Sequence, residues 1–551
     1  MKYHIGIDTG GTSTDAVLVD PARDLVVATA KTPTTRYRLS DGISSVLSKL
    51  LSGSDASAAD IDGLAISTTL ATNSVVENKG ARVALLVIGF VKHFKLPVTA
   101  VIYVKGGHSI TGKEEAPLEL EYLVETLEKL KSSVDAYAVC STMSMKNPTH
   151  ELVAEKAISL IDPKPVFCSH RSSSEAGMKE RAATAALHAK LMPVMNDFIT
   201  SVTASMKQFN LNCPLAIVTG NGSTITAEQA IKQSGQTIAS GPACTALFGG
   251  RSENRQALVV DIGGTTTDIA MVTAGNPILS PHGCTIGSWA THMESVDLYT
   301  DGIGGDSLVS LGPKNTLTIG PDRVIPLCIS GSNAGSVDWI GPEEKGSALF
   351  LSPSIDKSRA VKDPILLFLA ENTPATRYRL KRSPELKTIP ITRRLEQLRR
   401  KQNIEETGFT PTDALCVLGL TDFGERDNAA KGGQRLAKQM GISLETFCRN
   451  VKKETEEKIV SAILSYVMNR TWGNSIAPFL SSYKNHDLLD TRFRLKIPLI
   501  GTGAAARFFL PAVAEKLSTS VTFPKFCDVG SAVGAASMLR KPAGIKKRNS
   551  P

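Results

Sequence analysis

Short apolar runs alternate with turn residues over the first part of the chain. The run that starts at His4 ends at a Gly-Gly-Thr turn, a second run follows, and Asp20-Pro21 separates it from a third, "DLVVATAKT". Each run is bounded by Gly, Asp or Pro, and the run "AVLV" is too short for a helix. The pattern therefore predicts a strand–turn–strand meander.

Longer segments show the spacings of buried strands and amphipathic helices. Residues 63–90 predict a strand, a helix that ends at Gly80, and another strand. Further helices are expected over 119–131, from 174 to about 209, and from about 429 to 467, and strands at "VDAYAVC" and "PLAIVTG". This alternation indicates an α/β protein with mixed sheets.

One sequence motif occurs twice in the chain. "HIGIDTGGTSTDAVLVD" begins at position 4 and "ALVVDIGGTTTDIAMVT" at position 257. In each copy an apolar run ends in an aspartate, a Gly-Gly-Thr turn follows, and a second aspartate comes after it, which gives the pairs Asp8 and Asp15, and Asp261 and Asp268. No short repeat period is present, so a solenoid is excluded and two similar α/β lobes that face each other are the simplest explanation.

The chain is long enough for two or three domains. We expect one lobe over residues 1–175 and a second over 176–540. The second lobe would carry a basic helical insertion at about 345–430, after a stretch rich in Gly, Pro and Ser. Residues 541–551 predict a disordered basic tail.

Composition narrows the possible functions. Of 551 residues, 42% are apolar and 21% are charged, and no apolar run reaches the roughly 18 to 20 residues that cross a bilayer, so a cytoplasmic location without membrane contact is expected. The formal charge of +9 is concentrated between residues 377 and 401 and in the tail. Acidic residues are interleaved there and aromatics are few, which favours a solvated helix face over nucleic-acid binding. Nine scattered cysteines argue against a disulfide framework and a structural zinc site.

The repeated turn has the chemistry of a phosphate site. Glycine lets an anion approach consecutive backbone N–H groups, and hydroxyls add further donors. A strand-terminal aspartate can act beside phosphates when Mg²⁺ lies between them, so Asp8 and Asp261 are predicted to bind Mg²⁺ or position the catalytic water. Two such turns would bind the two ends of one nucleotide triphosphate. The predicted phosphate contacts are Gly10, Gly11, Thr12, Ser13, Thr14, Gly263, Gly264, Thr265 and Thr266.

Competing nucleotide motifs do not match. A strand rather than a helix follows each Gly-Gly pair, and Gly-x-Gly-x-x-Gly and Gly-Lys-Ser/Thr are both absent, which excludes the Rossmann and Walker patterns. Further candidates are the loop Gly304, Gly305 and Asp306, the cleft residue Asn221, and the helix start Ser240–Ala243. His108 and His292 stand alone, and a surface or hydrogen-bonded role is expected for them.

The two turns resemble the phosphate loops of the actin, Hsp70 and sugar-kinase superfamily, in which two lobes bind Mg-ATP in a cleft. In that superfamily an adenosine-binding loop follows late in the chain. "IPLIGTGAAA" (Ile497–Ala506) has that place, which makes Gly501, Thr502 and Gly503 candidate nucleotide contacts.

The more specific resemblance is to the hydantoinase A and 5-oxoprolinase family. It is carried by "GIDTGGTSTDAVLVD", "STTLATNSVVENKGARVALLVIGF", "SGPACTALFGG", "VVDIGGTTTDIAMV", "DGIGGDS" and "GFTPTDALCVLG". The resemblance implies ATP-dependent opening of a cyclic amide through phosphorylation of its oxygen. It also implies a hydantoinase B type partner subunit, because the chain ends soon after the ATP lobes.

Two departures from the family pattern leave the substrate open. Ser67 stands where members often have histidine, and Asp306 stands in a turn that is usually Gly-rich. Related carboxylase subunits share the scaffold, so a carboxylase subunit, a small-molecule kinase and a non-catalytic ATP-binding module remain alternatives. Ring size, stereochemistry and any homo-oligomer are not encoded in these motifs.

Overall fold

The computed structural model describes most of the chain. The described residues are 2–11, 13–34, 39–76, 79–172, 175–253, 255–280, 283–286, 289–330, 337–341, 346–353, 355, 363–387, 389–400, 403–473, 479 and 491–540. The predicted tail at 541–551 and the site candidate Thr12 lie outside them.

The chain forms two compact units. The first comprises Met1–Arg255, Ala270–Leu298 and Val529–Pro551, and the second comprises Gln256–Ile269 and Tyr299–Asp528. The expected division after residue 175 follows the motifs and remains a prediction; the compact units have different boundaries.

Strands and helices alternate before residue 256. Strands β1–β10 comprise Tyr3–Thr9, Ser13–Asp20, Leu25–Pro33, Ile61–Thr68, Val83–Ile88, Ala100–Val104, Ala136–Ser141, Val166–Cys168, Leu215–Val218 and Thr224–Thr226. Helices α1–α7 comprise Leu39–Ser52, Leu70–Val76, Leu120–Leu130, Thr149–Ile161, Met178–Gln208, Ala227–Lys232 and Ser240–Gly250.

The remaining chain continues the mixed pattern. Strands β11–β23 comprise Ala257–Ile262, Thr267–Thr273, Asn276–Pro277, Thr285–Ile286, Trp289–Ala290, Leu298–Asp301, Ser307–Leu311, Leu317–Arg323, Ile325–Pro326, Ser347–Leu351, Ile404–Gly408, Leu499–Thr502 and Val521–Thr522. Helices α8–α16 comprise Leu327–Ser330, Pro364–Glu371, Arg377–Arg382, Ile391–Arg400, Pro411–Val417, Arg426–Met440, Leu444–Trp472, Ala506–Lys516 and Gly530–Ser537.

The first sheet has the order β10-β9-β4-β1-β2-β3. The meander predicted from the apolar runs is confirmed: β1, β2 and β3 are antiparallel, and β4 then joins β1 in parallel. Apolar residues of β1 pack with the apolar faces of α1 and the second half of α5 in one buried core. This packing fixes the position of the strand ends that carry the candidate site.

A second sheet repeats this order as β13-β12-β11-β22-β23. The parallel neighbour of β11 is β22, as β4 is the parallel neighbour of β1, and β23 and β9 hold the next positions. The sequence duplication therefore extends to the sheet topology, and the α/β prediction is confirmed.

A separate parallel sheet, β6-β5-β7-β8, precedes α5. The first half of α5 packs against this sheet through a run of alanines, and the second half packs against the sheet that contains β1. One helix therefore contacts both sheets of the first unit.

The helical run expected from about 429 to 467 is two helices in the structure. Helix α13 ends where Gly441 adopts a φ of +69°, a left-handed conformation that suits glycine, and α14 begins after the cap residue Ser443. The helix expected from residue 174 begins at Met178. Within the described ranges, no helix combines the length and apolar character needed to span a membrane.

Close backbone packing between β1 and α16 gives a test of this fold. A Cβ on Gly6 would overlap the carbonyl oxygen of Ala532 and approach Ala536 Cβ to 2.8 Å. Gly6→Ala is therefore expected to destabilise the first unit by about 1–3 kcal/mol, the usual cost of overpacking. Calorimetric unfolding measures this. Gly341→Ala is the control, because nothing lies within 4 Å of its added Cβ; equal unfolding midpoints for the two variants would contradict the packing.

Candidate functional site

The first turn joins β1 to β2 in a tight hairpin. The Gly10 N–H donates to Ser13 O at 2.9 Å, and this hydrogen bond closes the turn. The hydroxyl of Thr34, just beyond β3, donates to Gly10 O at 2.9 Å, and the Thr14 and Thr34 hydroxyls lie 3.1 Å apart. These contacts hold the turn against the end of β3.

Asp8 lies two residues before this turn and is buried. The hydroxyl of Ser67, opposite it on β4, donates to Asp8 Oδ1 at 2.6 Å. The pKa of Asp8 is raised to about 7, chiefly by burial and also by the nearby Asp15 carboxylate, against the lowering effects of the Ser67 hydrogen bond and of Lys31. Without a bound cation the charged form of Asp8 is therefore poorly stabilised.

Helix α7 starts beside the same carboxylate. Ser240, the first residue of "SGPA", donates its hydroxyl to Thr68 O at 3.0 Å and accepts the Thr68 N–H at 3.1 Å. A Cβ on Gly241 would lie 3.4 Å from Asp8 Oδ1, so glycine brings the helix start against Asp8. Ser240–Ala243 was a candidate for ligand contact from the sequence, and that contact stays a prediction.

The second turn repeats the first. The Gly263 N–H donates to Thr266 O at 3.0 Å, which leaves Gly264 and Thr265 in the loop. Asp268, at the position of Asp15, accepts the hydroxyls of Thr300 at 2.6 Å and Thr266 at 3.3 Å, and burial raises its pKa.

The loop Gly304–Asp306 packs directly on the second turn. The N–H groups of Gly305 and Asp306 donate to Gly263 O at 3.0 Å and Gly264 O at 2.7 Å, and the Gly304 N–H donates to the Ser307 hydroxyl. These amides support the turn and are already used. The carboxylate of Asp306 faces the turn, since a Cβ on Gly264 would overlap Asp306 Oδ2.

Asp306 has one described cationic partner. Arg323 lies 3.3 Å from its carboxylate, and burial still raises the pKa of Asp306 despite this partner. The hydrogen bonds of Gly304, Gly305 and Asp306 support the second turn. Contact of these residues with nucleotide stays a prediction.

The motif "GFTPTDALCVLG" stabilises the Gly304–Asp306 loop through hydrogen bonds. Thr412 donates both its N–H and its hydroxyl to Gly305 O, at 2.9 and 2.8 Å. The next residue, Asp413, is fully buried, caps α12 with Thr410, and accepts the N–H groups of Leu327 and Cys328. Burial raises its pKa to about 6.

The predicted adenosine loop lies at the end of β22. Thr502 stands opposite Asp261 in the parallel pair β11–β22, and Gly503 has a φ of +84°. A Cβ on Gly503 would overlap Asp261 Oδ1, so glycine is required there for close approach. Gly501 packs differently: a Cβ would overlap the Phe523 ring, which assigns this glycine to the core of the second unit.

These strand ends have the features that a magnesium nucleotide needs. Among the described residues, the buried hydroxyls of Thr9 and Thr502, at the ends of β1 and β22, have no hydrogen-bond partner. Strand-terminal carboxylates supply the oxygen ligands that Mg²⁺ prefers. Taken separately, each strand end therefore offers oxygen atoms of the kind that suit Mg²⁺ and the phosphates of ATP.

Other candidates have local partners. Asn221 accepts the Thr219 hydroxyl at 2.7 Å and donates to Glu294 at 3.1 Å, which stabilises its own turn. His292 lies 3.5 Å from Glu175. His108 is buried against the ring of His150, its Nδ1 lacks a partner within the described chain, and burial lowers its pKa.

One carboxylate–thiol–imidazole cluster lies elsewhere. Ligand atoms of Glu151, Cys168 and His170 lie within 4.8 Å of one another. The Glu151 carboxylate already accepts hydrogen bonds from Ser141, Ser169 and His170. Burial acts to raise the pKa of Glu151, but these hydrogen bonds keep it below its usual value. We assign the cluster to the core.

Together, the α/β sheets and the duplicated glycine turns define a class of proteins in which one strand–turn–strand unit occurs twice. Residues 4–161 match the profile of the hydantoinase/oxoprolinase N-terminal region, and residues 181–327 match that of hydantoinase/oxoprolinase. The chain belongs to the hydantoinase/oxoprolinase family, as the motifs predicted.

Curated relatives include caprolactamase subunit alpha of Pseudomonas jessenii, 25% identical over 383 residues that cover 61% of this chain and 52% of the relative. Acetophenone carboxylase gamma subunit of Aromatoleum aromaticum is 26% identical over 369 residues, which cover 58% of this chain and 49% of the relative. The chain thus spans about half the length of these relatives.

Solved structures share the fold. Nucleotide-free acetone carboxylase aligns with a TM-score of 0.68 at 18% identity, covering 97% of this chain and 70% of that chain. The ATP-dependent caprolactamase of Pseudomonas jessenii aligns with a TM-score of 0.62 at 20% identity and the same coverage.

Sequence reasoning missed several residues at these strand ends. Thr9 and Thr412 lie inside quoted motifs but were not singled out, Lys31 belongs to none of the motifs, and Ser67 was noted only as a departure from the family. Strand register is the signal that would have found Ser67 and Lys31, because both stand in line with Asp8.

Asp8 gives a test that combines charge and stability. In the metal-free chain the pKa of Asp8 is raised from 3.8 to about 7 in the folded state, so this state holds more protons than the unfolded state between these values. Stability should therefore fall as pH rises through this window. Asp8→Asn removes the titration and should stabilise the chain at pH 8 by on the order of 2–4 kcal/mol, with a smaller gain towards pH 5.

Calorimetry in the presence of EDTA measures this difference. Asp62→Asn, at an exposed carboxylate of the same unit, is the matched control and should change little. An Asp8→Asn variant that is no more stable than wild type at pH 8 would contradict the assigned burial of charge.

Proposed function

We propose that this chain is the nucleotide-binding subunit of an ATP-dependent enzyme that opens a cyclic amide, such as a hydantoin or 5-oxoproline. The duplicated turn carries the proposal: both copies are closed by the same hydrogen bond, and both follow a strand-terminal aspartate. Family membership and a relative named ATP-dependent caprolactamase support it.

The chemistry explains why ATP is needed. An unstrained amide is a poor electrophile, and transfer of the γ-phosphoryl group to its oxygen makes its carbon open to attack by water. Cleavage of the C–N bond then opens the ring, and two waters are consumed overall as ADP, phosphate and the amino acid form. Catalysis of such a transfer is mainly positioning and charge stabilisation.

The residues would divide this work between the two copies. The glycine turns and the Thr9 and Thr502 hydroxyls would bind the nucleotide, and Asp8 and Asp261 would hold Mg²⁺ or orient water. Bound Mg²⁺ would neutralise negative charge on the phosphates. Ser67 would orient the Asp8 carboxylate through its 2.6 Å hydrogen bond.

A carboxylase subunit is the second candidate. Acetophenone carboxylase gamma subunit is a relative, and acetone carboxylase shares the fold. The caprolactamase and acetophenone carboxylase relatives are both named as subunits, so we further propose a partner chain of the hydantoinase B type.

Phosphate release from ATP across a substrate panel tests the function. Hydantoin, 5-oxoproline, caprolactam and a ketone with bicarbonate are each added, with and without a co-purified subunit. Release that depends on a cyclic amide, with the ring-opened product, is expected. Phosphate retained on the substrate would instead identify a kinase. Turnover that depends on the ketone would identify a carboxylase, and ATP binding without turnover would identify a regulatory module.

The same assay tests the aspartates. Asp8→Asn and Asp261→Asn should each lower the turnover number by at least about 100-fold, because each removes a charge used in phosphoryl transfer. Asp62→Asn is the control at an exposed carboxylate. Full activity in both site variants would remove Asp8 and Asp261 from the reaction.

A further inference from the structure

Four polar residues form a row across four neighbouring strands of the first sheet. Ser67 on β4 stands opposite Asp8 on β1, Asp8 stands opposite Asp15 on β2, and Asp15 stands opposite Lys31 on β3. Residues directly opposite one another point to the same face of a sheet. We call this set, Ser67–Asp8–Asp15–Lys31, the polar row.

A β-bulge brings Lys31 into the polar row. The register of β2 and β3 shifts between Leu18 and Val19, so Val27 is left out of the pairing. Without this shift, Ala30 would stand opposite Asp15 and Lys31 would point to the other face. Bulges commonly redirect a side chain in this way next to functional sites.

Charge in the polar row is unbalanced before any ligand binds. It contains two buried carboxylates, and Lys31 is its one cation. The Lys31 ammonium lies 3.2 Å from one oxygen of Asp15 and 3.3 Å from the other, and its side chain is 43% exposed against 13% for Asp15. The ammonium is thus the solvent-facing end of the row.

We propose that Lys31 is a phosphate-binding residue of the first turn, an inference that rests on the proposed nucleotide function. The end of β3 is held at this turn by the hydrogen bond from Thr34 to Gly10 O. A triphosphate bound there would add negative charge beside Asp8 and Asp15. The long, partly exposed Lys31 side chain can move its ammonium from Asp15 to a phosphate oxygen, which a lysine binds as a point charge.

Calorimetric titration of the full chain tests this assignment with three probes: MgATP, tripolyphosphate with Mg²⁺, and adenosine. Lys31→Met should weaken MgATP and tripolyphosphate about 10- to 100-fold, the range of charge-assisted hydrogen bonds. Adenosine binding should stay within about twofold, and Lys31→Arg should recover most of the loss. Lys232→Met is the control, because Lys232 is also paired with a carboxylate, Glu228 at 2.7 Å, on an exposed helix of the same unit.

Each result has a separate meaning. A Lys31→Met chain that binds MgATP as tightly as wild type, while wild type binds it saturably, overturns the Lys31 assignment and leaves the proposed function intact. An equal loss for MgATP and adenosine assigns Lys31 to structure only and also overturns it. A wild-type chain that binds neither MgATP nor tripolyphosphate overturns the proposed function and this inference with it.

Discussion

An ionised carboxylate cannot be buried at low cost without a positively charged or hydrogen-bonding partner. This constraint applies to the carboxylates beside the first glycine turn and beside the second. Asp8 is buried with a single hydroxyl donor from Ser67 and a second carboxylate beside it. The fold maintains this arrangement through the packing of β1 between α1, α5 and α16. We propose that a Mg²⁺ ion bound with the nucleotide would offset this negative charge, which would couple the stability of the chain to its proposed function.

The two copies of the turn share their closing hydrogen bond but are supported differently. In the first, Thr34 at the end of the adjacent strand holds Gly10. In the second, the loop Gly304–Asp306 donates its amides to the turn, and Thr412 in turn holds that loop. The two copies thus share the geometry of the turn, while the contacts that support it differ. The Asp306 carboxylate lies against the second turn, and its charge increases the need for positive charge there.

Local patterns were enough to predict the hairpins, the α/β class and the family, since Gly-Gly turns and apolar runs are local signals. They could not predict that the Gly305 and Asp306 amides are used by the second turn, because that pairing joins residues about 40 positions apart. Nor could they place Lys31, whose orientation depends on the bulge at Val27 rather than on simple alternation. Gly501 was selected for its small size, and its packing against the Phe523 ring could not be predicted, because that contact depends on the tertiary fold. The boundary between α13 and α14 could have been predicted, because a glycine commonly ends a helix and the serine two residues later commonly caps the start of the next one.

The most direct test of the central claim is a crystal structure of the chain with Mg²⁺ and a non-hydrolysable ATP analogue. The account predicts phosphate oxygens at the backbone N–H groups of the Gly10–Ser13 turn and of the Gly263–Thr266 turn, with the metal adjacent to Asp8 or Asp261. Nucleotide bound elsewhere on the chain, with both glycine turns unchanged and without ligand, would contradict it.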